Sequence, residues 1–132
     1  MFASCTSLTA VDIPETVISI GGGAFINCDY LSSIDIPNNV TSIGKRAFSQ
    51  CPSLTSVTIG QGLKSIGEQA FYYSMALTKV YCYASTPPTC EIYAFEDASN
   101  NKATLYVPIR CGDKYKSSRT WGSYFKKIKE ME

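Results

Sequence analysis

The sequence predicts a solenoid of stacked coils, and three observations carry that prediction. Phe2, Phe25, Phe48 and Phe71 recur every 23 residues, and Leu8, Leu31, Leu54 and Leu77 keep the same interval. Each interval also holds a short alternating apolar stretch, Leu31-x-x-Ile34-x-Ile36 in the second, closed by Pro37 as the first is closed by Pro14. A fixed period of about twenty to fifty residues marks a chain built from one repeated unit, which finds its core only by stacking on its neighbours.

Within a unit, Leu31-x-x-Ile34-x-Ile36 has the spacing of a strand whose alternate side chains point inward. Pro37 has no N–H to donate and ends that pairing. Val40-x-x-Ile43-Gly44 predicts a second extended piece and a turn, with Gly21, Gly44 and Gly67 at a position expected to need a positive φ. Ala47-Phe48 and the residues after it are expected to form a helical or 3₁₀ turn leading to the next coil. The fourth unit starts in phase with Phe71, Leu77 and Val80 and then drifts. Ser74 stands in the cysteine slot, Cys82 stands in an isoleucine slot, and Ala94-Phe95 arrives one residue late.

Residues 1–108 are therefore expected to form the solenoid, about four 23-residue units and a partial fifth, with 109–132 as a small cap in the same domain. After a polar loop from Asp97 to Lys102, Leu105-Tyr106-Val107-Pro108 predicts a last strand. Asp113 to Ser118 and Trp121 to Met131 predict short helical pieces, whose Tyr115, Trp121, Phe125 and Ile128 would cover the open end of the core. Met1-Phe2 falls in phase with a coil, so the N-terminal end is expected to lack a cap. Either the chain is the C-terminal piece of a longer array, which is the preferred reading, or that end is covered by a partner or by self-association.

The stretch Leu31 to Cys51, Leu-x-x-Ile-x-Ile-Pro-x-x-Val-Thr-Ser-Ile-Gly-x-x-Ala-Phe-x-x-Cys, resembles the BspA-like leucine-rich repeat of bacterial surface proteins. The resemblance covers roughly residues 2 to 95. It implies a right-handed leucine-rich-repeat solenoid with a parallel strand ladder. It also implies a surface-exposed or secreted bacterial protein used for attachment to host or matrix proteins or glycans, with no enzymatic activity.

Composition agrees with one soluble domain, at 45% apolar and 17% charged residues. No run of eighteen apolar residues and no signal peptide is present in the chain. Net charge is +1, unevenly placed: residues 109–132 carry seven Lys/Arg against three Asp/Glu, and residues 1–108 carry five against eight. A solvated face explains these cations, and no basic run is interleaved with aromatics, so no nucleic-acid partner is expected.

Cys5, Cys28 and Cys51 share one slot in successive coils and are expected to stack as a parallel column of small core side chains. Such a column does not turn Cβ atoms toward each other as a disulfide requires. Cys82, Cys90 and Cys111 fall outside it, and one disulfide among them stays open. With no histidine and no Cys-x-x-Cys, neither a metal site nor a cofactor is expected. The same lack removes the usual Ser/His and Cys/His nucleophile arrangements. Asp12 and Asp35 share a repeat position and read as part of a polar surface ladder rather than an acid pair. Gly21-Gly22-Gly23 lacks the lysine and spacing of a phosphate loop.

Recognition by a solenoid is spread over several coils, on the strand side chains that point outward. The candidate ligand-binding residues are Ser33 and Asp35, then Ser56 and Thr58, then Lys79 and Tyr81. The first three coils present hydroxyls and carboxylates there. The fourth adds a cation and rings, with Tyr83 on the same strand and Tyr72 and Tyr73 in the adjoining turn. These rings suit an interface, or they pack against the cap and the Pro87-Pro88 loop. The expected function is a non-catalytic binding module; the alternative is a spacer that projects another domain.

Overall fold

The computed structural model describes residues 7–91, 93–96, 98 and 102–131. Phe2 and Cys5, and residues 97 and 99–101 of the polar loop, lie outside them. In chain order the strands are β1 (Ser19–Ile20), β2 (Ser33–Ile36), β3 (Ser42–Ile43), β4 (Ser56–Ile59), β5 (Ser65–Ile66), β6 (Lys79–Cys82), β7 (Thr89–Cys90), β8 (Thr104–Val107) and β9 (Lys127–Glu130). Two short helices, α1 (Gly112–Lys116) and α2 (Trp121–Tyr124), lie between β8 and β9. The strands form two parallel ladders, β2-β4-β6-β8-β9 and β1-β3-β5-β7, in a parallel β-solenoid of about five turns.

Alternation along each strand decides burial, as the period of two requires. Ile34 and Ile36, Val57 and Ile59, Val80 and Cys82, and Leu105 and Val107 all point into the core. The second ladder contributes the isoleucine column Ile20, Ile43 and Ile66, also buried. At the corner, Phe25, Phe48, Phe71 and Phe95 stack with ring centroids 5.1, 5.2 and 4.9 Å apart and planes within 7°. That is the spacing of offset stacking, repeated at each coil.

The segments around Ala47-Phe48 and Ala70-Phe71 are successive turns, not the helical or 3₁₀ piece expected. The N–H groups of Arg46, Phe48 and Gln50 donate to the carbonyls of Glu68, Ala70 and Tyr72 in the next coil, at 3.0, 2.7 and 2.7 Å. The intervening Ala47 and Ser49 bond back to Gly44 and Arg46, both at 3.2 Å. A helix would send each N–H back within its own segment. Here alternate donors are committed to the neighbouring coil, which makes this corner a third bonded column.

The recurrent glycines serve a different purpose from the one expected. Gly21, Gly44 and Gly67 do not have positive φ; that conformation falls at Gly23, Arg46 and Gln69, and again at Asn27, Gln50 and Tyr73, on either side of each Ala-Phe pair. What requires glycine is the approach of the coils. A Cβ on Gly44 would lie 2.5 Å from the backbone N of Gly22, and one on Gly67 would lie 2.7 Å from the carbonyl carbon of Gly44.

Cys28 and Cys51 are fully buried in their shared slot. The slot also requires a donor: the Cys51 Sγ–H reaches the Phe25 carbonyl at 3.2 Å, and the Ser74 hydroxyl makes the equivalent bond to the Phe48 carbonyl at 2.7 Å. Ser74 Oγ in turn accepts from the Cys51 N–H at 3.3 Å. The apparent drift at Ser74 is thus a conservative exchange of one short donor for another.

At the C-terminal end, Trp121, Tyr115 and Phe125 are buried. Trp121 and Phe125 cover Phe95 at 5.5 and 5.1 Å with tilted rings, which ends the parallel stack. The indole N–H of Trp121 donates to the Pro88 carbonyl at 2.9 Å, and the Tyr115 hydroxyl to the Ala84 carbonyl at 2.6 Å. The expected helix from Trp121 to Met131 ends at Tyr124, and Lys127–Glu130 is a strand instead. β8 is accordingly not the last strand. Its open edge offers unpaired backbone groups, and pairing with them outweighs the helical spacing of Trp121, Phe125 and Ile128.

Candidate binding face

The five-stranded ladder brings all six candidate residues onto one outward face. Its register aligns Ser33, Ser56, Lys79, Thr104 and Lys127 in one column. A second column aligns Asp35, Thr58, Tyr81, Tyr106 and Lys129. Ser33, Asp35 and Lys79 are exposed, and Ser56, Thr58 and Tyr81 are half-buried between their neighbours.

The Tyr81 ring stacks on Tyr106 of the adjacent strand, 4.7 Å between centroids and 14° between planes. Tyr72 and Tyr73 make a separate stacked pair at the turn, also at 4.7 Å. Tyr83 lies just past β6 and is exposed, lining a shallow concavity of ≈ 370 Å³ with Glu15, Asp35, Asn38 and Thr58. The face is therefore polar and acidic over β2, aromatic over β6 and β8, and basic at β9.

Cys51, Cys82, Cys90 and Cys111 carry thiols and not disulfides. Burial pushes the Cys51 and Cys90 thiols up to about 12 and raises that of Cys82 as well, so they stay protonated and poorly nucleophilic. Cys82 instead sits 3.3 Å from the Tyr115 hydroxyl, whose own ionisation is opposed first by burial and then by the neighbouring thiol. Among the described residues no group of three or more His, Cys, Asp or Glu is arranged to hold a metal ion. No helix among them is long and apolar enough to cross a membrane.

A model of the BspA-type leucine-rich repeat region matches residues 1–111 in six copies. The chain belongs to the BspA-type leucine-rich repeat family. Comparison with curated proteins finds no match. A BspA-type solenoid is typically a non-catalytic scaffold for protein interaction, and the family is commonly surface-associated. In this BspA-type chain the repeat pattern does not reveal four members of the face: Thr104, Tyr106, Lys127 and Lys129. Tyr106 follows the irregular stretch in which the 23-residue phase is lost, and the two lysines lie in a segment whose apolar spacing reads as helix. Strand alternation was the available signal for both, since Leu105 and Val107 flank Tyr106, and Ile128 separates the lysines.

Proposed function

We propose that this chain is a binding module of a surface or secreted adhesin-like protein, recognising a protein or glycan through the outward face of the five-stranded ladder. One observation carries the reading. The inward residues of β4, β6 and β8 keep the repeat (Val57 and Ile59, Val80 and Cys82, Leu105 and Val107), while the outward ones change from Ser56 and Thr58 to Lys79 and Tyr81 and then to Thr104 and Tyr106. A spacer needs outward residues only for solubility and has no use for a stacked tyrosine pair beside a lysine.

The test is binding of the purified monomeric chain, at physiological salt, to a panel of extracellular-matrix proteins and glycans, beside a Lys79→Ala/Tyr81→Ala double variant. Saturable binding that weakens at least several-fold in the variant is the expected result. Unchanged affinity in the variant removes this face as the site.

A further inference from the structure

We infer that the partner of this face is an anionic glycan, bearing sulfate or carboxylate groups, held over β6, β8 and β9 by Lys79, Lys127 and Lys129 around the Tyr81–Tyr106 stack. This rests on the binding-module reading and narrows it to one class of ligand. Lys79 and Lys127 occupy the same column with Thr104 between them, about 10 Å apart at the usual spacing of roughly 4.8 Å per strand. Lys129 stands beside Tyr106 in the next column, about 7 Å along the strand from Lys127.

The three ammonium groups are left for an outside partner. The ion pair among the described residues joins Lys45 to Glu68, at a different corner of the solenoid. Glu130 adjoins Lys129 in sequence, but its carboxylate accepts the Gly112 N–H at 3.0 Å at the start of α1. Two backbone N–H bonds, from Arg110 and Gly112, hold it below the usual carboxylate range and commit it to that side. Asp35 is in the tyrosine column but two strands from Tyr81.

The rings add to this bias. Tyr81 and Tyr106 cover one face of each other, and in their column the next residues on the outer sides are Thr58 and Lys129, so the pair offers the ligand chiefly hydroxyls and ring edges, and the edge is the positive part of the aromatic quadrupole. Lysines, hydroxyls and ring edges together make a donor surface matched to a hydroxyl-rich polyanion. A single nucleic-acid strand would want an open ring face on which to stack its bases. A protein partner would want an apolar pocket for an anchoring side chain. Lysines on an edge strand also deter strand addition, but that role gives no reason for Lys79 on an interior strand.

The experiment measures binding of the full chain to immobilised heparin, to chemically desulfated heparin, to polyglutamate and to single-stranded DNA. Variants are Lys127→Ala/Lys129→Ala and Lys127→Arg/Lys129→Arg, each checked for unchanged thermal unfolding. Expected is saturable binding to heparin, weakened at least tenfold in the double alanine variant and kept in the arginine variant. The slope of log K against log salt should become shallower by about two, roughly one for each cation removed. Equal affinity in the double alanine variant, or equal or tighter binding of polyglutamate or DNA, overturns the inference. If Lys79→Ala/Tyr81→Ala abolishes binding to a neutral glycan or a protein while heparin does not bind, the face remains the site and the anionic ligand is wrong.

Discussion

The stretch from Phe25 to Ala70 and the stretch from Phe71 to Met131 fill the same inward columns by different means. In the first, each column holds the repeat residue: phenylalanine at the corner, cysteine in the donor slot, isoleucine or valine on the strands. In the second, Ser74 takes the donor slot, Cys82 takes a strand position, and Trp121 and Phe125 close the phenylalanine stack although they belong to no repeat. The comparison shows that a column is defined by volume, by hydrogen-bond capacity and by its place in the stack. Residue type can change wherever those three are kept. The outward columns carry no such constraint and diverge in chemistry.

The largest expected effect breaks the comparison at its end. Trp121→Ala should cost about 3–5 kcal/mol, as large a loss as Phe48→Ala in a regular coil. It also leaves the Pro88 carbonyl without the indole N–H. Urea unfolding of both variants checks this, and a cost below about 1 kcal/mol for Trp121→Ala would mean that the cap does not hold the end of the stack.

Glycine substitutions separate coil approach from backbone conformation. An alanine at Gly67 meets the backbone of Gly44 and Lys45 at 2.7 Å and is expected to cost at least about 1–3 kcal/mol. Gly23→Ala meets only Ile26, at 3.9 Å, and should cost about 1 kcal/mol for its φ of +67°. The reverse order in chemical denaturation would mean that conformation and not approach selects glycine.

The donor slot gives a sharper test of the regular and irregular stretches. Ser74→Ala leaves the Phe48 carbonyl and the Cys51 N–H without this partner and should cost about 1–3 kcal/mol. Ser74→Cys and Cys51→Ser keep a donor and should each cost less than about 1 kcal/mol. Equal losses for alanine and cysteine at position 74 would reduce the slot to a question of volume.

The smallest effect near neutral pH is a thiol one. An unfolded cysteine ionises near pH 8.5, whereas burial holds Cys51 and Cys90 protonated up to about 12. Between those values the unfolded chain loses protons that the folded chain keeps. Stability is then complete below about pH 8.5 and declines as pH rises toward 12. Unfolding at pH 7, 9 and 10.5 should show that decline, with a shallower slope for Cys51→Ser. A flat profile would mean that these thiols ionise as readily folded as unfolded.

How much was legible follows from the period. The inward columns from Phe25 to Ala70 could be read from the chain, because a 23-residue recurrence states which side chains meet. That Ser33, Ser56 and Lys79 share one outward column and Asp35, Thr58 and Tyr81 another was legible for the same reason, since strand alternation and the period together place them there. Leu105-Tyr106-Val107 was legible as a strand, but the place of Tyr106 beside Tyr81 was not, nor were Lys127 and Lys129, which read as helix, because the phase is broken around Ala94-Phe95 and the cap has one copy of everything. The recurrent glycines were visible, but their reason was not: a period reports that a position needs glycine, and only packing reports which backbone it must avoid.

The sequence by itself determined a solenoid of stacked coils with buried phenylalanine, isoleucine and cysteine columns, because each is a periodic property of the chain, and the parallel ladder followed from the family resemblance of that repeat. Tertiary structure alone decided that Lys127–Glu130 pairs as a fifth strand, that Tyr81 stacks on Tyr106, and that alternate N–H groups of the Phe48 turn bond to the next coil. Those outcomes depend on which open edge or neighbouring ring lies within reach. Local propensity does not encode that, and the unpaired backbone at the edge of β8 is what overrides it.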